Sequence, residues 1–181
     1  MLTHSSLKTA LLAVAIAGLL TLPSGGGVRA DDGATSNGAG ACDPSVGAPY
    51  AEVQIDTYPR VNLRLARNEQ EREQGLMFVD NMAPDDGMLF VYTSPSSESY
   101  WMYHTDIPLS IAWIDRDGTI LDIQDMPRLN NPDDQAEAAQ HVYTPAVMPY
   151  WYALEVNEGW FVQHGVGVGQ QMLLCLDGGG S

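Results

Sequence analysis

The chain has 181 residues, with 8 Lys and Arg against 23 Asp and Glu, a formal net charge of −15. That length suits one compact domain rather than two. So negative a chain lacks the basic face that a DNA- or RNA-binding module uses to neutralise phosphates, and an anionic membrane surface repels it.

Residues 1–30 read as an address. Lys8 makes the start positive, and residues 9–22 form the longest apolar run, shorter than the roughly 20 residues that a membrane-spanning helix needs. Pro23-Ser24-Gly25 breaks any helix. Val28 and Ala30 place small residues at the −3 and −1 positions of a cut after Ala30, the pattern of a secretory signal peptide. Cleavage predicts an exported chain, secreted or periplasmic, with no membrane attachment; an uncleaved N-terminal anchor is the alternative. The cut chain keeps six Arg, no Lys and 23 acids, a net of −17. Such a surface repels itself in dilute buffer, and salt screens the repulsion over a Debye length of about 8–10 Å near physiological strength, so the charge suits salty surroundings.

Residues 31–49 hold almost no large apolar side chain and are expected to form a disordered linker. The cysteines are Cys42 and Cys175. In an exported protein such a pair is expected to be bridged, tying the N-terminal segment to the last strand. Two separate thiols, with Cys175 buried in its apolar run, are the alternative.

The globular domain is expected over residues 50–176. Val53 and Ile55 alternate with polar neighbours, as do Val61, Leu63 and Leu65, the period of strands with one buried face. Asn68 with Glu71 three residues on reads as a capping box, and Gly75 as a C-terminal stop, which predicts a short helix over Glu69–Gln74. Met88–Tyr92, Tyr100–His104 and Leu109–Asp115 read as strands. Asp117-Gly118 turns the chain into a strand over Thr119–Gln124. Residues 127–141 read as a long polar loop with a helical turn over Asp133–Ala139. Tyr152–Asn157, Trp160–Gln163 and Met172–Leu176 are the last strands, and residues 177–181 a disordered tail. Eight or nine short strands and one helix predict a mainly β domain, an antiparallel sandwich or barrel.

Several blocks occur in a set order: Glu71-Arg72-Glu73-Gln74-Gly75-Leu76-Met77-Phe78, Asp86-Gly87-Met88-Leu89-Phe90, Tyr100-Trp101-Met102 with Ile107-Pro108-Leu109, Ile114-Asp115 with Gly118, and Ala153-Leu154-Glu155-Val156-Asn157 with Gly159. In this order they resemble the family called domain of unknown function 192, over about residues 52–176. The resemblance implies a compact jelly-roll-like β-sandwich in small, often exported proteins, and no established activity. His104 stands where the family usually has Asn, Ser110 where Asp is usual, and Gln170 where Asp often follows the late glycine.

Three chemistries compete for the unusual stretch Tyr100–Asp106. Aromatic rings beside acids and amides grip small polar ligands such as sugars, the ring covering an apolar face while polar groups take hydroxyls. This leading reading makes the chain a binding module for a small polar or carbohydrate-like ligand, through Trp101, His104, Asp106, Glu155 and Asn157, with no metal or other cofactor. The ordinary role of any one Trp, Trp101 or Trp113 included, is core packing. The second reading is a hydrolase or lyase, which needs two carboxyls of separated pKa in one cleft, from Asp106, Asp115 and Glu155. Glu155 alternates with Leu154 and Val156, so it should face away from the core unless its strand is covered on both faces. The third is Cu(I) capture by Met102 and His104, with Met77, Met82 and Met88 as further donors; methionines filling gaps in a β core are the ordinary alternative. No serine-nucleophile elbow, phosphate loop or dinucleotide fingerprint is present.

Overall fold

The computed structural model describes Cys42, residues 49–53 and residues 59–176. The expected signal peptide, the expected cut after Ala30, most of the expected linker and the tail 177–181 lie outside the described residues.

Ten elements follow one another. They are β1 (Tyr50–Val53), β2 (Arg60–Ala66), α1 (Glu69–Gln74), β3 (Asp86–Ser96), β4 (Leu109–Ile114), β5 (Ile120–Met126), α2 (Gln135–Ala138), β6 (Tyr150–Asn157), α3 (Trp160–Gln163) and β7 (Met172–Cys175). The strands form one sheet in the order β5-β4-β6-β3-β2-β1-β7. Neighbours run antiparallel except β2 and β3, which pair in parallel, Leu63 opposite Gly87 and Leu65 opposite Leu89.

The mainly β expectation holds: of the sandwich or barrel expected, the described strands form one curled, mostly antiparallel sheet, a half-barrel, whose parallel β2–β3 pair makes it mixed. Alternation marks a strand without giving its direction. The connection from Arg67 to Asp85 is long enough for the crossover that a parallel pair requires, and α1 lies within it. The sheet curls until its edges meet at one end. There Met172 N donates to Gly118 O at 2.9 Å and Ile120 N to Gln170 O at 3.0 Å. Gly118 makes the meeting feasible: its φ is +90°, and a Cβ would lie 2.2 Å from the Met172 carbonyl oxygen.

Both faces of the sheet carry a core. Leu89, Ala112, Ile114, Leu154 and Val156 pack on one face with Trp160 and Phe161. Phe90, Ile111, Trp113 and Ala153 pack on the other, under a cover that includes Leu76, Tyr100, Met102 and Ile107. β4 is buried along its whole length, as expected of a strand covered on both sides.

The capping box of α1 forms as expected: Glu71 N donates to the Asn68 side chain at 3.0 Å, and the Glu71 carboxylate accepts from Asn68 N at 3.3 Å and from Arg67 N at 2.6 Å. Those backbone N–H groups, Arg67 first, hold the Glu71 carboxyl below its ordinary range. Two strand expectations are corrected. Trp160–Gln163 is helix α3, with Trp160 and Phe161 both buried and Val162 exposed, a pattern without period two. Tyr100–His104 makes one bridge, Tyr100 to Tyr143, and then turns. The polar loop 127–141 carries the expected helical turn as α2, capped by Asp134. Cys42 and Cys175 are joined by a disulfide that ties the segment before β1 to β7.

Candidate functional site

β6 lies between β4 and β3, and its register sets Glu155 opposite Ile111 on one side and Met88 on the other. Leu154 and Val156 take one core face, so Glu155 must face the other. That face is roofed, and Glu155 is buried at 5% exposure. The exception stated for it therefore applies: its strand is covered on both sides, and the side chain does not point outward. Among the described residues no hydrogen bond or ion pair reaches its carboxyl, and loss of hydration pushes its pKa up to about 8.

The Glu155 carboxyl lines a cavity of about 320 Å³ between α1 and the segment 98–105. Glu69, Arg72 and Glu73 come from α1, Tyr92 from β3, and Glu98, Tyr100, Trp101 and Thr105 from that segment. Trp101 stands at the edge, 37% exposed, and also borders a shallower hollow with Asp133 and α2. A phenol network stiffens one wall. Tyr92 OH donates to the Glu98 carboxylate at 3.1 Å and lies 2.8 Å from Tyr100 OH, while Tyr150 OH donates to the Glu98 carbonyl at 2.8 Å. Burial pushes the Tyr92 and Tyr100 phenols well above their ordinary range, so both stay protonated.

Of the five expected site residues, Trp101 and Glu155 share this cavity and three lie elsewhere. His104 turns away: its Nδ1 lies 2.8 Å from the Asp133 carboxylate, and its ring packs on Tyr103 and Phe78 with centroids 3.8 and 4.8 Å apart. Asp106 accepts from Arg128 at 2.9 Å. Asn157 donates to the Ala83 and Pro84 carbonyls at 2.8 and 3.4 Å, holding the loop before β3. Of the carboxyls named for a hydrolase only Glu155 lines this cavity; Asp115 follows Ile114, which pairs with Tyr152, and accepts from Arg116 N at its own turn. Of the residues named for copper, Met102 is fully buried in the core, and the His104 Nδ1 lies 2.8 Å from the Asp133 carboxylate.

Glu69, Glu73, Arg72, Glu98 and Tyr92 were not expected at the site. A helix of six residues with a polar outer side gives no signal that its flank closes a cavity. Phe78 was missed as well. It is 67% exposed, has a φ of +64°, and donates from its N to His104 O at 2.8 Å.

Comparison with known proteins bears on this geometry. The family model for DUF192, described as an uncharacterized ACR, matches residues 51–174. The chain belongs to the DUF192 family. The match spans nearly all of the described domain, including every residue of the cavity wall. Among solved structures, a putative transcription regulator from Sinorhizobium meliloti 1021 is 28% identical with a TM-score of 0.58, over 70% of this chain and 92% of that one. A protein of unknown function from Novosphingobium aromaticivorans DSM 12444 is 24% identical with a TM-score of 0.60, over 75% of this chain and 99% of that one; this likeness concerns the fold alone. No curated protein matches the chain.

Proposed function

We propose that this DUF192 protein is an exported binding module for a small polar, carbohydrate-like ligand held in the cavity between α1 and residues 98–105. The observation that carries the reading is the Glu155 carboxyl, buried and without a hydrogen-bonding partner among the described residues, in a cavity that has a half-exposed tryptophan at its edge. A buried polar group without a partner costs free energy, about 1–3 kcal/mol when neutral, and a ligand hydroxyl or amine removes that cost. The Trp101 ring supplies an apolar face, and Glu98 and Thr105 add polar contacts.

Export rests on the reading of residues 1–30 and is supported by the Cys42–Cys175 disulfide, since such bonds persist in oxidising compartments. A nucleic-acid partner, which the description of the S. meliloti protein would suggest, is disfavoured by a net charge of −15. The test is a titration of a glycan panel followed by tryptophan fluorescence. A saturable shift lost in Trp101→Ala supports the reading, and a blank panel overturns the carbohydrate-like ligand. N-terminal sequencing of the exported chain checks the cut after Ala30.

A further inference from the structure

The charge balance of the cavity wall says what kind of ligand belongs there. Glu69, Glu73, Glu98 and Glu155 line it against one guanidinium, that of Arg72. Arg72 does not offset them. Its Nη1 donates to the backbone carbonyls of Arg67 and Val91 at 3.2 and 3.3 Å, and its guanidinium lies over the Tyr92 ring, 4.9 Å from the centroid. No ion pair joins Arg72 to a carboxylate among the described residues.

We infer that the cavity accepts an organic cation, an ammonium or quaternary ammonium group on a polar frame, with its charge against Glu155 and its body against the Trp101 ring. The inference rests on the binding role proposed above and names the ligand's charge. Exposed acids alone would not single out a ligand. Glu155 does, because it is a carboxyl on a residue only 5% exposed, with no hydrogen bond or ion pair among the described residues, at the wall of a space large enough for a small molecule. A cation supplies positive charge beside Glu69, Glu73 and Glu98 and covers the open part of the Trp101 ring, which otherwise packs on Tyr103 with centroids 5.3 Å apart. A bare metal ion fits less well, since no three or more His, Cys, Asp or Glu side chains converge to hold one among the described residues. The negative field of the whole chain concentrates cations near the opening.

The protons balance as follows. Burial keeps Glu155 largely protonated at neutral pH, its pKa being about 8. A cation beside it favours the carboxylate, so the carboxylic acid loses its proton to solvent as the cation enters, and a net positive charge arrives as one leaves. Affinity therefore rises with pH up to about 8 and then levels off. The other titratable groups on the cavity wall are Arg72, Glu69 and Glu73 from α1, Tyr92 from β3, and Glu98 and Tyr100 from the covering segment; the β3 and β4 register neighbours Met88 and Ile111 carry no charge. Both phenols stay protonated over this range.

The test is calorimetry on the exported protein with two matched pairs of probes: choline against its uncharged isostere 3,3-dimethyl-1-butanol, and glucosamine against N-acetylglucosamine. The charged member of at least one pair should bind about tenfold or more tighter than the neutral one. Choline affinity should rise by roughly ten- to thirtyfold between about pH 6.5 and about pH 9, with close to one proton released per choline near neutrality, read from two buffers of different ionisation enthalpy. Glu155→Gln should remove the pH dependence and the proton release. Trp101→Ala, at a position 37% exposed whose ring packs on Tyr103, should weaken binding about tenfold while its melting curve still shows a folded protein at the assay temperature, which separates loss of the site from loss of the fold. Neutral probes binding as tightly as charged ones would overturn the cation and leave the binding role standing. No probe of either charge binding, together with a blank glycan panel, would overturn both.

Discussion

Gly87 of β3 runs so close to Glu155 of β6 that a Cβ on Gly87 would lie 2.6 Å from the Glu155 carbonyl oxygen and 3.0 Å from side-chain carbons of Val61 and Val156. The clash is with backbone in a central strand pair, and no side-chain rotation relieves it. Gly87→Ala should therefore destabilise the protein by about 1–3 kcal/mol, read as a fall in the urea midpoint at unchanged slope. Because the strand that must shift carries Glu155, the same variant should bind the choline probe more weakly even where it remains folded.

The buried carboxyl makes stability depend on pH, with a sign opposite to that of a salt-bridged acid. Glu155 titrates near 8 in the folded protein and near the ordinary 4.5 when unfolded. Between those values the folded state holds the extra proton, so stability falls as pH rises from about 4.5 towards 8 and is flat beyond. Below 4.5 both states are protonated and the group has no effect. The full loss is on the order of 3–5 kcal/mol. Glu155→Gln keeps the shape and removes the titration. It should match the parent near pH 4.5 and exceed it in melting temperature near pH 9, measured as melting curves across that range.

How much of this was readable in the sequence depends on how local the cause is. The capping box at Asn68 and Glu71 involves residues three apart, and it forms as read. The inward Val61 and Leu63 of β2 follow from period two alone. The fate of Glu155 could not be read this way. Leu154 and Val156 announce one buried face, but the burial of the opposite face comes from Leu76, Tyr100 and Met102, far away in sequence. The parallel pairing of β2 with β3 is likewise a matter of crossover and not of pattern. Trp101 lines the cavity although the segment beyond Tyr100, read as a strand, is a turn in which His104 takes a left-handed backbone.

The disulfide closes a span of 133 residues and fastens β7, which pairs with β1 on one side and meets the start of β5 at its end. Removing a cross-link over so long a loop enlarges the unfolded ensemble, so Cys42→Ser should lower stability by about 2–4 kcal/mol. A reductant should lower the denaturation midpoint of the parent by the same amount and leave the variant unmoved. No residue of β1, β5 or β7 lines the cavity, so probe binding by the folded fraction should be unchanged.

His104 carries a φ of +51° and faces Phe78, whose φ is +64°, across the bond from Phe78 N to His104 O. Left-handed backbone is accessible to Asn, Asp and His and strained for β-branched residues. The geometry thus gives a backbone reason for the two side chains this position accepts, His here and the Asn expected from the family pattern, without any need for a shared ligand. His104→Asn keeps the backbone and loses the ring contacts with Tyr103 and Phe78 and the bond to Asp133, all at partly exposed positions. Its cost should be about 1 kcal/mol or less. His104→Val loses the same contacts and adds backbone strain, so it should cost about 1–3 kcal/mol more. Chemical denaturation of the two variants side by side measures the difference. Equal costs would mean that the side-chain contacts, and not the left-handed backbone, decide what this position tolerates.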